Sequence, residues 1–83
     1  MYLLLGTADC HLCEQAAEII HNVQKRHPID VQEVDIAEHE HWQADYATRI
    51  PVLYHSASGA YLAWPFNEHT LELFINELML RSL

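Results

Sequence analysis

The chain has 83 residues, 51% of them apolar, with two Trp, four Tyr and two Phe; this suffices for one folded core, read as a single domain over residues 1–83. Twelve acidic residues against four basic ones give a formal charge of -8, which excludes the electrostatic footprint of a nucleic-acid or anionic-membrane binder. The opening Met1-Tyr2-Leu3-Leu4-Leu5-Gly6 has no basic leader, and its apolar run is too short for a signal sequence or a membrane span, so a cytoplasmic chain is expected.

Tyr2 to Leu5 is a continuous apolar run, the pattern of a short strand covered on both faces, and Gly6 to Asp9 reads as the turn leaving it. Leu12, Ala16, Ile19, Ile20 and Val23 then fall at helical spacing. Lys25, Arg26 and His27 suit the last turn of that helix, and Pro28 stops it. Ile29 to Ile36 is rich in Val and Ile and predicts a strand, although its apolar phase shifts between Val31 and Val34, through irregularity or burial on two sides. Ala37 to Ala47 is polar and compatible with a helix that turns Trp42 and Tyr46 inward.

Thr48 to Pro51 interrupts the pattern, and Val52 to Tyr54 follows as a strand headed by a proline, where the missing N–H does little harm. Ser56 to Gly59 is a hairpin loop into a strand from Ala60 to Trp64. Asn67 is placed to cap a final helix with an apolar stripe of Leu71, Phe74, Ile75, Leu78 and Met79. Trp64, Pro65 and Phe66 read either as core and helix staple or as an apolar rim beside a site. The order is βαβαββα, an α/β chain whose first strand, helix and strand form a right-handed crossover.

The chemistry concentrates at Cys10-His11-Leu12-Cys13, which holds both cysteines. Two thiols at this spacing suit a redox dithiol, half of a zinc site, or two small buried side chains. At a helix mouth the redox reading has a mechanism, because free N–H groups favour a thiolate on Cys10 by about 0.3 to 1 kcal/mol. Asp9, next in sequence, opposes it by a similar order. His11, between the two cysteines, is a candidate to assist the thiolate as an imidazolium or to pass a proton. His39-Glu40-His41 and the Cys10, His11, Cys13 group are the candidate metal ligands, yet no second CxxC and no HxxxH accompanies them, so no metal site is assigned.

A CxxC at the start of the first helix, an Ile50-Pro51-Val52 loop some forty positions later at the head of a strand, a hairpin and a last helix together resemble the thioredoxin fold, and within it the small glutaredoxin-like proteins. The resemblance implies a four-stranded mixed sheet flanked by three helices, with Cys10 as nucleophile and Cys13 as resolving thiol. It also implies a cis bond before Pro51, with Ile50 and Pro51 facing the CxxC and contacting the bound peptide or glutathione. His11 and Leu12, which stand between the cysteines where glutaredoxins commonly carry Pro and Tyr, Arg49, beside the proline loop and placed to pair with a carboxylate, and Asn67, at the position of the family's acid, complete the expected substrate-binding set. Glutaredoxins commonly carry a Lys before the first cysteine and a Gly-Gly turn with an Asp before the last helix. Here Thr7, Ala8 and Asp9 occupy the first segment and Trp64 to Asn67 the second, which removes contacts that glutathione would use.

The expected activity is thiol-disulfide exchange on protein or small-molecule disulfides by a monomer, with no resident cofactor and glutathione at most a co-substrate. The alternative is a non-catalytic thioredoxin-fold module that recruits a protein partner or a metal ion.

Overall fold

A computed structural model of the chain describes residues 1–81; positions 82 and 83, the end of the expected 1–83 span, lie outside the described residues. The order is β1 (Tyr2–Gly6), α1 (His11–Gln24), β2 (Val31–Asp35), a 3-10 turn (Ile36–Glu38), α2 (Glu40–Tyr46), β3 (Val52–His55), β4 (Tyr61–Ala63) and α3 (Glu68–Arg81). The strands form one mixed sheet in the order β2-β1-β3-β4, with β1 parallel to β2 and antiparallel to β3. This is the thioredoxin-like α/β architecture expected. Among the described residues no helix is long and apolar enough to cross a membrane.

β1 is apolar throughout because it is an inner strand with helices on both sides. On one face Tyr2 and Leu4 pack with Ala16, Ile20 and Val23 of α1 and with Leu71, Ile75 and Leu78 of α3. On the other, Leu5 joins Ile36 and Val52, and Trp42, Tyr46 and Ile50 close over them. The shifted phase of the second strand has the same cause: Val31 belongs to the α1 side and Val34 to the α2 side. β2 is also shorter than the Ile29–Ile36 run, beginning at Val31.

Four expectations are corrected. The second helix begins at Glu40 rather than Ala37. Asp35 Oδ1 accepts from the Ala37 amide at 2.9 Å, and Gln43 Nε2 donates to the Ile36 and Ala37 carbonyls at 3.0 and 2.9 Å, so side chains hold a separate turn there. Leu12, counted in the apolar stripe of α1, is 43% exposed. The next residue, Cys13, already sits over the last residue of β1, so the first helical turn projects past the sheet. Met79 is 58% exposed, one step round α3 from the buried Leu71, Ile75 and Leu78. Arg26 and His27 lie beyond the last residue of α1 and turn towards α3 instead of its dipole.

There they form a clasp. Arg26 Nη2 donates to Glu68 Oε1 at 2.9 Å and to Glu72 Oε1 at 2.8 Å, while His27 Nε2 meets Glu72 Oε2 at 3.1 Å. The Arg26 bond, and after it that of His27, holds the Glu72 carboxyl below its ordinary value. Beside the start of β1, burial first and the N-terminal ammonium second push the His55 imidazole down, with its ring 4.9 Å from that of Tyr2.

The signs set a pH profile. A depressed carboxyl stabilises the fold above its ordinary pKa and loses that contribution as pH falls through the folded value. A depressed imidazole binds fewer protons in the folded state, so stability declines as pH drops below its ordinary 6.5. Urea denaturation midpoints should therefore begin to fall below pH 6.5, and His55→Asn should remove that first decline. The gap between wild type and Glu72→Gln should close as pH falls below 4.5. A gap independent of pH would show that the charge on Glu72 does not support the clasp.

Candidate active site

Cys10 occupies the N-cap of α1, with extended backbone angles (φ -96°, ψ 104°), and its sulfur accepts a hydrogen bond from the Cys13 amide at 3.1 Å. This is the position that Ser, Thr or Asp usually fills, because a side-chain acceptor there satisfies one of the orphan amides of the first turn. The Cys10 amide donates to Thr7 O at 3.4 Å, which folds the loop out of β1 back onto the helix start. Cys10 and Cys13 are disulfide-bonded, with Cα atoms 5.1 Å apart. Both are half-buried, so exposure does not rank them as the sequence reading expected. What separates them is bonding: the amide that meets Cys10 Sγ, together with the helix terminus, favours negative charge on that sulfur after reduction.

Cys13 is positioned by an absence. Gly6 is the buried last residue of β1, and a Cβ built on it would come within 2.7 Å of Cys13 Sγ and 3.2 Å of Cys13 Cβ. Sequence reasoning took Gly6 for the start of a turn; its role is to let the second cysteine press on the strand backbone. The available signal was a glycine closing an apolar strand just before the CxxC, a common mark of close approach.

Beside the sulfurs lies a groove of about 500 Å³ between α1 and the outer strand β2. Cys10, Cys13, Glu14, Glu33 and Asp35 bring polar atoms to it, and Leu4, Gly6 and Ala17 form apolar wall. Glu33 and Asp35 reach it because they pair with Leu4 and Gly6 in the parallel register. Neither was selected from the sequence. Of the expected site residues only the two cysteines line this groove.

The remaining members of that set are distributed around it. His11 and Leu12 are exposed at the helix mouth, with His11 Nδ1 3.7 Å from Glu14 Oε2. The Ile50–Pro51 peptide is cis; Pro51 is buried, Ile50 half-buried, and Pro51 O accepts from the Trp64 amide at 3.0 Å. The Trp64–Pro65 peptide is cis as well, which the sequence reading did not anticipate. Arg49 Nη1 donates to the Tyr61 hydroxyl at 3.0 Å. Asn67 caps α3, its Oδ1 accepting from the Thr70 amide and its own amide donating to Thr70 Oγ1, both at 2.9 Å. Phe66 is core, with Trp64 edge-on to it at 5.1 Å. His39 and His41 stack edge to face at 5.9 Å, and among the described residues no three His, Cys, Asp or Glu are grouped to hold a metal ion.

A family model described as "Glutaredoxin-like domain (DUF836)" matches residues 2–76. The chain belongs to this family. Among solved structures it is similar to an X. campestris structural-genomics protein determined by X-ray crystallography, with 28% identity, a TM-score of 0.81, and 93% of this chain and 97% of that one covered. A Nitrosomonas europaea protein solved by NMR has 23% identity and a TM-score of 0.77, over 88% and 87% of the two chains. Thioredoxin 1 of Thermosipho africanus shares the fold at 16% identity and a TM-score of 0.71, over 98% and 96%. Comparison with curated proteins finds no match.

In this glutaredoxin-like domain, Gly6→Ala should destabilise the oxidised form by about 1 to 3 kcal/mol, the usual cost of overpacking. The reduced form should lose less, because a free Cys13 thiol can rotate away while a disulfide-bonded sulfur cannot. Urea unfolding of both forms checks this; equal losses, or none, would contradict the close approach.

Proposed function

We propose that this glutaredoxin-like chain is a thiol-disulfide oxidoreductase that uses Cys10 and Cys13 on protein or small-molecule disulfides. The observation that carries the proposal is the hydrogen bond from the Cys13 amide to Cys10 Sγ, at a helix N-terminus and beside an open groove. After reduction, the same amide and helix end lower the energy of the Cys10 thiolate, the reactive form of a thiol.

The Cys10 thiolate attacks one sulfur of a substrate disulfide, forming a mixed disulfide and expelling the other sulfur as a thiolate. Cys13, deprotonated by solvent, attacks Cys10 Sγ; the Cys10–Cys13 bond forms and the second substrate thiolate departs. The two electrons of the dithiol end on the substrate, whose thiolates take up the two released protons. An external thiol, glutathione or a dithiol protein, restores the reduced pair by the reverse exchange. Family resemblance assigns Ile50 and Pro51 to the substrate backbone. We assign His11 and Leu12, between the two cysteines, to the rim, Arg49 to a carboxylate, and Asn67, at the position of the family's acid, to the polar end of a glutathione-like ligand. We place the reaction in the cytoplasm and assign it to a monomer; the alternative of a non-catalytic recruiting module gains no observation of its own.

Cys13→Ser should accumulate a covalent mixed disulfide with an aromatic disulfide substrate, seen by intact mass. Cys10→Ser should react more than about tenfold more slowly, since each pKa unit by which a thiolate is favoured raises its population about tenfold. Equal trapping by the two variants would remove the assignment of Cys10 as nucleophile, and trapping by neither would remove the activity.

A further inference from the structure

The groove beside the cysteines is asymmetric in charge. Glu14, Glu33 and Asp35 line it together with Cys10 and Cys13, and Asp9 is exposed next to Cys10. Asp35 gives one oxygen to the Ala37 amide and still presents a carboxylate. None of the four Lys and Arg residues counters this. Arg26 is bound to Glu68 and Glu72, Arg81 to Glu77 and Arg49 to Tyr61, while Lys25 follows the far end of α1.

The groove is also longer than a small disulfide requires. A second depression of about 510 Å³ continues along α1 and β2, sharing Leu4, Ala17 and Glu33 with the first and extending to Val31 and Gln24. β2 is the outer strand of the sheet, and among the described residues no strand pairs with its far edge. The trough is acidic where it meets the dithiol and continues past His21, Gln24 and Gln32 along an open strand edge, so its active-site end is complementary to an extended, cationic chain.

We propose that the α1–β2 groove selects disulfides carried on basic polypeptide segments, with Lys or Arg beside the cysteine that is attacked. This rests on the dithiol reading and adds the substrate class to it. The carboxylates attract the segment's ammonium or guanidinium groups and bring its sulfur to Cys10, whereas an anionic thiol such as glutathione, with two carboxylates and one ammonium, meets like charge. The exchange itself is the one written above: one substrate disulfide is reduced to two thiols and the dithiol is oxidised.

The test uses the reduced full-length protein and three nine-residue peptides, identical except for Lys, Gln or Glu on both sides of a central cysteine held in a disulfide with 2-mercaptoethanol. Rates at pH 8 and low salt are divided by those of each peptide with free dithiothreitol, an uncharged dithiol that reduces the mixed disulfide and closes to its own cyclic disulfide, which removes intrinsic reactivity. The Lys peptide should exceed the Glu peptide by on the order of ten- to a hundredfold, within the range of electrostatic steering, and 1 M salt should reduce this to a few-fold. Glu14→Gln with Glu33→Gln should cut the ratio by about tenfold, while Glu38→Gln with Glu40→Gln, equal in charge but outside the groove, should leave it unchanged. Cystamine, a small dication, should gain less than the Lys peptide.

A ratio near one, with all three peptides reduced, overturns the charge selection and leaves the dithiol activity standing. Equal effects of the two double variants assign the preference to net charge and overturn the groove. A cystamine advantage equal to that of the Lys peptide overturns the extended segment. Failure of even the Gln peptide to react overturns the dithiol reading, and this inference with it.

Discussion

The packing of Cys13 against the bare backbone of Gly6 fixes the start of α1 over the end of β1. Because β1 is an inner strand buried on both faces, that contact ties the first helical turn to the packed centre of the sheet. With Cys13 so held, Cys10 falls at the N-cap, within reach of the Cys13 amide, and the turn before Cys13 projects beyond the sheet. The exposure of Leu12 and the opening of the groove both follow from this overhang. The geometry of the cysteine pair therefore depends on a packing detail at a residue with no side chain of its own.

Electrostatics act at two ranges. Close to the sulfur, the helix terminus and one amide favour a thiolate on Cys10 over one on Cys13. Farther out, the parallel register of β1 and β2 brings Glu33 and Asp35 alongside the same groove, so the strand pairing that builds the sheet also sets the charge around the dithiol. The basic residues that could have offset this charge are engaged elsewhere, most of all Arg26, which holds the end of α1 to α3. Stability and the charge of the groove thus draw on the same small supply of cations.

Much of this was legible in the sequence, for reasons that differ by residue. The apolar run of β1, the helical stripes of α1 and α3, the cap at Asn67 and the CxxC at a helix mouth are local patterns whose physics is contained within a few positions. Gly6 was misread because a glycine after a strand most often signals a turn, and only the arrival of Cys13 gives it another purpose. Glu33 and Asp35 were invisible as site residues because their placement depends on the register of a strand pair. The partners of Arg26 lie 42 and 46 positions away, beyond any periodicity argument. The turn before α2 was missed because it is held by the side chains of Asp35 and Gln43, in a stretch whose composition permits a helix.

The central claim is that Cys10 and Cys13 form a reversible redox couple. Its most direct test is to equilibrate the protein in a series of thiol-disulfide buffers spanning roughly -150 to -320 mV, a range that brackets the cytosolic glutathione poise, and to quantify the pair by alkylation and intact mass. The account predicts a single two-electron transition within that range, between a dithiol and an intramolecular Cys10–Cys13 disulfide, that retraces itself in both directions. Cysteines that stay reduced, or stay oxidised, across the whole series would contradict it.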